Sequence, residues 1–291
     1  MAAMVSPMRH QHTLRSPVQV RGIGLHGGQK VSVRLLPAPP DTGLIFTAAD
    51  QPDIAPLPAR YDQVLDTCLA TTLGNSQWKV STVEHLLAAL LTEGIDNTTI
   101  EVDGEEIPVL DGSAAPWVEK IREAGRTCQE TPRRTLVITT PIEVIDGNRE
   151  ARLLPSAGLE VAATIVFEHP GIGQQQLDLR LHNGTFGHEL AWARTFGFLA
   201  EVEAMHRMGL ALGGGLDNAV IYDQEGVLNP GGLRGPDEAV RHKLLDMIGD
   251  LALAGIAVQG RFEAIRPGHA LNQALVRALF ESPQSWEIVE G

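Results

Sequence analysis

Residues 238–254 constrain the fold of this chain more than any other stretch. The segment EAVRHKLLDMIGDLALA carries apolar residues at helical spacing, and His242, Asp246 and Asp250 recur within it at intervals of four. On a helix of about 3.6 residues per turn these three side chains fall within an arc of about 80°. Leu244, Leu245, Met247, Ile248 and Leu251 flank them, so the stripe is not solvent decoration. A His/Asp pair at i, i+4 can present two ligands to one metal ion. Asp250 lies about 12 Å along the axis from His242, which strains direct ligation and suits a supporting role. A His/Asp pair at this spacing is also common as a surface or local hydrogen-bonded pair, and only conjunction with other residues separates the two.

A catalytic zinc site needs a third protein ligand, and spacing alone does not choose it. His85 sits in a helix predicted over residues 81–91, beside Glu84 and before the apolar run LLAALL. His269 sits in Arg266-Pro267-Gly268-His269, just ahead of a helix predicted over 270–281. Plainer explanations exist for both neighbourhoods. Ser81-Thr82-Val83-Glu84 matches a capping box, which accounts for Glu84, and His269 can cap the helix that follows it. The stretch GIGLHG at 22–27 fits GxGxxG, but KVSVRLLP follows where a dinucleotide site needs a helix. Those glycines read as turn residues. Gly213, Gly214 and Gly215 lack the Lys-Ser or Lys-Thr of a phosphate loop.

A chain of 291 residues suggests two domains of about 150 residues each. Residues 18–36 read as a hairpin, 44–46 as a short strand, NTTIEVDGEEIPVLDG as two strands around Asp103-Gly104, and 114–124 as a second helix. Polar residues around Pro132 mark a boundary near 126–134, giving expected domains at 1–130 and 131–291. Beyond it TLVITTPIEV, ARLLP and LEVAATIVFE read as strands, Leu199–Arg207 as a helix and AVIYD as a strand. Strands followed by helix pairs in both halves indicate an α+β fold.

The formal net charge of -13 argues against a nucleic-acid partner. It still allows an anionic small molecule held by local Arg and Lys in a cleft. Two cysteines in unrelated contexts, Cys68 and Cys128, point to a reducing compartment. MAAMVSPMRHQHTLRSP lacks the apolar core of a secretory signal, and no apolar run reaches the roughly eighteen residues of a membrane span. A cytoplasmic location without stable membrane insertion is therefore expected, and no obligate protein partner is evident.

The blocks GIGLHGG (22–28), STVEHLLAAL (81–90), GIDN (94–97), DGSAAPW (111–117), ARTFGF (193–198), LGGGLDNAV (212–220), RHKLLDMIGDLAL (241–253) and GHALN (268–272) together resemble the UDP-3-O-acyl-N-acetylglucosamine deacetylases, zinc enzymes of lipid A biosynthesis. They run in family order from near residue 12 to about residue 281, and the first eleven residues have no visible counterpart. The resemblance implies two α+β domains in a β-α-α-β sandwich, each a small sheet packed on two helices. The active site lies between them, and each domain carries an insertion. It implies His85, His242 and Asp246 as zinc ligands, Glu84 as general base and His269 as general acid. Thr195 then polarises the substrate carbonyl, while Lys243 and Asp250 support substrate charge and orient the acid histidine. The second insertion is expected to pass the fatty acyl chain over Phe196, Phe198, Leu199, Val202, Leu210 and Ala211. Phe167, Arg149 and Arg266 align with contacts to the nucleotide end.

The implied reaction is zinc-dependent hydrolysis of the N-acetyl group of UDP-3-O-acyl-N-acetylglucosamine, releasing acetate. Three protein ligands leave a fourth position open, where the ion lowers the pKa of water and polarises the amide. A base on one side and an acid on the other complete the requirement, because an unprotonated amide nitrogen leaves poorly. Sequence leaves open zinc against iron(II). A related zinc amidohydrolase acting on another acylated amino sugar is one alternative, and a non-catalytic nucleotide-sugar-binding module is another. Retention of Glu84, His85, His242, Asp246, Asp250 and His269 together argues against the pure binder.

Overall fold

Two main sheets enclose two layers of helices in the computed structural model, which describes residues 10–182 and 184–291. The first nine residues, which include most of the stretch without a family counterpart, lie outside the described residues. The first sheet has five strands in the order Val18–Ile23, Lys30–Pro37, Thr98–Asp103, Leu44–Ala48 and Leu57–Pro58. Its first two strands form the expected antiparallel hairpin, Val18 opposite Leu35 and Ile23 opposite Lys30. The glycine-rich segment is the turn of that hairpin and opens no helix. Thr98–Asp103 is antiparallel to Lys30–Pro37 and parallel to Leu44–Ala48.

The second sheet is built around Ala257–Ile265, which pairs in parallel with Arg134–Ile138 and Leu159–Val166 and antiparallel with Arg149–Leu154. Ile142–Asp146, Gln174–Leu181 and Trp286–Glu290 extend it outward. Six α-helices lie among the described residues: α1 (Glu84–Thr92), α2 (Ala115–Ala124), α3 (Thr185–Glu189), α4 (Leu199–Arg207), α5 (Glu238–Leu251) and α6 (His269–Glu281). α2 packs on Val18–Ile23, α5 on Leu159–Val166 and Gln174–Leu181, and α6 on Ile142–Asp146 and Arg149–Leu154. α1 packs on α2 and on α5, which joins the two layers of helices face to face. The fold is α+β with two domains, as the element pattern predicts. Among the described residues no helix is long and apolar enough to cross a membrane.

α1 explains why the halves meet as they do. Every residue from Glu84 to Leu90 is buried, the signature of a helix enclosed on all sides. α5 approaches it so closely that a Cβ added at Gly249 would stand 2.1 Å from the Glu84 carbonyl oxygen. Only glycine admits that approach, and the approach brings the first turn of α1 against the C-terminal half of α5.

Several boundaries differ from expectation, each for a local reason. α1 begins at Glu84 rather than at residue 81, and no capping box forms. Thr82 adopts a left-handed backbone with φ 58°, its hydroxyl donates to Glu106 Oε1 at 3.2 Å, and Glu84 turns inward. The second strand expected in NTTIEVDGEEIPVLDG is reduced to isolated bridges at Glu106 and Pro108. Proline has no N–H to donate, and the Glu106 carboxylate accepts from the His26 and Gly27 amides of the hairpin turn. TLVITTPIEV splits at Pro141 into two strands that do not pair with each other. Residues 126–132, expected to be irregular, form the strand Arg126–Pro132 antiparallel to His10–Leu14. α5 ends at Leu251 and passes into the 3-10 turn Ala252–Ala254, closed by left-handed Gly255 at φ 68°.

Gly249→Ala is expected to destabilise the fold by at least about 2 kcal/mol, as overpacking against a backbone atom does. Thermal unfolding checks this: a drop of several degrees in Tm is expected, and an unchanged Tm would contradict the close approach of α1 to α5.

Candidate metal centre and active site

The left-handed turn at Thr82 delivers Glu84 and His85 at the first turn of α1, facing the buried stripe of α5. Nitrogen atoms of His85 and His242 and a carboxylate oxygen of Asp246 all lie within 4.8 Å of one another. His85 Nε2 is 3.6 Å and His242 Nε2 3.4 Å from Asp246 Oδ1. The two imidazole rings stand perpendicular with centroids 4.9 Å apart. Among the described residues Oδ1 of Asp246 has no hydrogen-bond partner although it is buried. A buried, unpaired carboxylate oxygen facing two imidazoles is costly unless something cationic is shared among them.

The protonation states suit a metal. Burial pushes His242 down to about 3 against the pull of Asp246, so its imidazole is neutral at pH 7. Its Nδ1 is 3.1 Å from the Ala193 carbonyl oxygen, which accepts that N–H and leaves Nε2 with its lone pair toward Asp246. Burial opposes charge on Asp246, yet His242, the Lys243 ammonium and His85 hold its carboxyl well below the usual carboxylate range. Lys243 Nζ sits 2.9 Å from Oδ2. Neutral imidazoles and an ionised carboxylate are the forms that ligate, and two nitrogens with one oxygen fit a catalytic zinc with an open position. The donor set therefore fits the ion that the sequence implies.

The Ala193 carbonyl is itself held in place. Arg194 and Glu238 form a buried ion pair, Nε to Oε1 at 2.8 Å, and the Arg194 amide donates to the same oxygen. This fastens the segment before Thr195 to the start of α5. Thr195 is half-buried; its amide donates to the Gly112 carbonyl at 2.8 Å.

Glu84 and His269 flank the cluster. Burial raises the pKa of Glu84, with His269 and His85 opposing. Its Oε1 faces His269 Nε2 at 3.8 Å, and its Oε2 accepts the Thr71 amide at 3.2 Å. His269 opens α6, and its Nδ1 lies 2.9 Å from Asp250 Oδ2. Burial would lower the pKa of His269, but the charges of Asp250 and Glu84 and the Asp250 hydrogen bond raise it to about 9. Asp250 also accepts the Thr71 hydroxyl on Oδ1 at 2.6 Å and the Asn272 amide on Oδ2 at 2.8 Å.

The residues expected to touch substrate fall into two groups. Phe196 lies 6.3 Å from the His242 ring and 5.5 Å from Phe167, and Phe167 is 5.8 Å from Phe198. This row leads from the histidines to a cavity of about 700 Å³ whose lining includes Phe167, Phe198, Leu199 and Tyr222. Val202 on α4, and Leu210 and Ala211 after it, do not line that cavity. The loop that follows them docks on the hairpin turn of the first half, where Leu212 and Gly213 donate amides to the His26 and Leu25 carbonyls. Arg149 and Arg266 form a second group: Arg149 Nε donates to the Arg266 carbonyl at 3.3 Å, two residues from Gly268-His269.

Sequence reasoning missed Thr71 and His26 as site residues. Both ring nitrogens of His26 are buried without a partner among the described residues. Burial lowers its pKa, and it lies close enough to His269 to feel that charge. His26 belongs to the block GIGLHGG, whose glycines mark a turn and give no sign of a buried imidazole. Thr71 carried no local signal.

A family model described as UDP-3-O-acyl N-acetylglycosamine deacetylase matches residues 11–281. A protein of Myxococcus xanthus named UDP-3-O-acyl-N-acetylglucosamine deacetylase is 48% identical over 280 residues, covering 96% of this chain and 89% of its own length. Proteins with the same name from Syntrophotalea carbinolica and Phenylobacterium zucineum are 46% and 48% identical, covering 98% and 96% of this chain and 92% and 96% of their own lengths.

One bound divalent ion per chain is expected on metal analysis of the purified protein. Asp246→Ala should weaken that binding by at least about tenfold, as loss of a ligand or of its support does; full occupancy in this variant at limiting metal would contradict the ligand assignment.

Proposed function

The chain belongs to the UDP-3-O-acyl N-acetylglycosamine deacetylase family, and from that premise we propose that it removes the N-acetyl group of UDP-3-O-acyl-N-acetylglucosamine as acetate, in lipid A biosynthesis. We propose zinc as the ion, His85, His242 and Asp246 as its ligands, the cytoplasm as its location, and a division of the two domains at 130/131. The single observation that carries the chemistry is the convergence of three ligand atoms within 4.8 Å, with a buried carboxyl and a buried imidazole 3.8 Å apart beside them.

Bound there, a divalent ion lowers the pKa of the attacking water and polarises the scissile amide. Glu84 takes a proton from that water; its raised pKa makes it a stronger base than an exposed glutamate. Attack forms the new carbon–oxygen bond and places negative charge on the former carbonyl oxygen, where the Thr195 hydroxyl donates a hydrogen bond. Near neutral pH His269 carries protons on both nitrogens, since its pKa is about 9. Asp250 occupies Nδ1–H, so the proton given to the departing amine comes from Nε2. The carbon–nitrogen bond then breaks, and acetate and the free amine leave.

The rest of the substrate supplies its own contacts. Lys243, Arg149 and Arg266 are the local cations that overcome a net charge of -13 to hold a diphosphate. Phe196, Phe198 and Leu199 would line the path of the acyl chain, with Val202, Leu210 and Ala211 outside the cavity wall, and Phe167, which borders the same cavity, would offer a ring face to the nucleotide base.

Acetate release from UDP-3-O-acyl-N-acetylglucosamine, abolished by a chelator and restored by zinc, tests the reading. Long-acyl substrate should be preferred to short-acyl substrate; a preference for an unacylated or unrelated acetylated sugar would favour another amidohydrolase. Glu84→Gln is expected to keep its metal and lose at least about a hundredfold in kcat, the usual worth of a general base; loss of the metal with it would contradict the base assignment. The reaction needs His269 protonated, so activity should fall on the alkaline side as that group loses its proton. Asp250→Asn removes the chief cause that raises the pKa, and a pH–rate profile should show the alkaline limb displaced to lower pH. An unmoved limb would contradict the role of Asp250.

A further inference from the structure

Thr71 stands at the end of the turn before the strand Thr72–Gly74, in the small three-stranded sheet Val64–Asp66, Thr72–Gly74 and Lys79–Val80 of the first half. It is fully buried. Its backbone amide donates to Glu84 Oε2 at 3.2 Å, and its hydroxyl donates to Asp250 Oδ1 at 2.6 Å. The same hydroxyl oxygen lies 3.3 Å from His269 Nδ1, as a second acceptor for that N–H. One residue of the first half is thus bonded to a carboxylate on α1 and to a carboxylate on α5, and touches the imidazole that opens α6.

The geometry points to Thr71 as a positioning residue that fixes Asp250, and through it His269, relative to Glu84. This inference rests on the proposed roles of Glu84 as base and His269 as acid. Asp250 is itself fully buried, with two oxygens for protein donors to satisfy. Oδ2 already serves His269 Nδ1 and Asn272 Nδ2, and among the described residues the Thr71 hydroxyl is the partner that Oδ1 has. Without it, Oδ1 is a buried charged oxygen lacking a donor, which carries the full desolvation cost. The carboxylate can recover a donor only by turning, and turning takes Oδ2 away from His269. Nε2 of His269 would then lose its fixed direction toward the departing nitrogen, and misplacement of a catalytic group by even about 1 Å lowers the rate steeply. The amide bond to Glu84 is independent of the side chain, so a change at the hydroxyl leaves the base in place. The carbonyl of Thr71 also accepts the Val83 amide at 3.5 Å, and that contact likewise survives side-chain replacement.

Thr71→Val keeps the shape and removes only the hydroxyl; Thr71→Ser keeps the hydroxyl and removes a methyl group. With UDP-3-O-acyl-N-acetylglucosamine as substrate, Thr71→Val should lose about tenfold to a hundredfold in kcat, the range for a lost hydrogen bond to a charged group. KM should stay within about twofold and metal content should be unchanged, since neither ligand nor substrate contact is touched. Thr71→Ser should recover most of kcat. In an Asp250→Ala background Thr71→Val should cost nothing further, because the partner is gone. Undiminished kcat in Thr71→Val would overturn the inference, and so would a Thr71→Ser variant as slow as Thr71→Val. Wild-type kcat in both Glu84→Gln and His269→Gln would instead sink the reading of the site on which it rests, and the inference with it.

Discussion

Burial of ionisable groups between the two layers of helices is the constraint on which the rest of this structure depends. Glu84, His85, His242, Asp246, Asp250 and His269 are all buried, where an unpaired charge costs several kcal/mol even after relaxation, as a general magnitude. Three carboxyl groups in this set face one imidazolium and the neighbouring Lys243 ammonium. Asp250 is satisfied by three donors, whereas among the described residues Asp246 keeps one oxygen unpaired between the imidazoles of His85 and His242. The arrangement divides into two parts: a Thr71–Asp250–His269–Asn272 network in which both Asp250 oxygens have donors, and a His85–His242–Asp246 cluster that could hold a metal ion. In the proposed mechanism the first part holds the acid and the second the metal, and Glu84 stands beside both.

Both parts require contributions from each half of the chain, so the two sheets cannot be independent carriers of function. Gly249 permits the helix approach, the Arg194–Glu238 pair holds the carbonyl that orients His242, and the loop after α4 docks on the hairpin turn at Leu25 and His26. The glycine-rich turn thus matters as a platform, held from below by Glu106 and touched from above by the second insertion.

Much of this was legible in the sequence because helices carry their periodicity over many residues. α5, its four-residue spacing of His242, Asp246 and Asp250, and α1 with His85 could be read from pattern alone. The choice of His85 as the third ligand, and the roles of base and acid, came from resemblance, since spacing within one helix says nothing about a partner on another. The central strand Ala257–Ile265 is faint in the sequence although Val258, Gly260, Phe262 and Ala264 alternate inward. Two of those four are glycine or alanine, and apolar Ala257 and Ile265 fall on the other face, so the alternation is weak in hydrophobicity. Thr71 and the failed capping box share a cause. A left-handed Thr82 and a hydroxyl meeting a carboxylate 179 residues away are tertiary facts that override local preference.

X-ray absorption at the zinc edge of the active, zinc-loaded protein tests the central claim most directly. A single ion bridging the halves predicts two imidazole nitrogens and carboxylate or water oxygens at about 2.0–2.2 Å, with the imidazole signal halved in a His85→Ala variant. A spectrum without imidazole scattering, or one unchanged by that substitution, would contradict it.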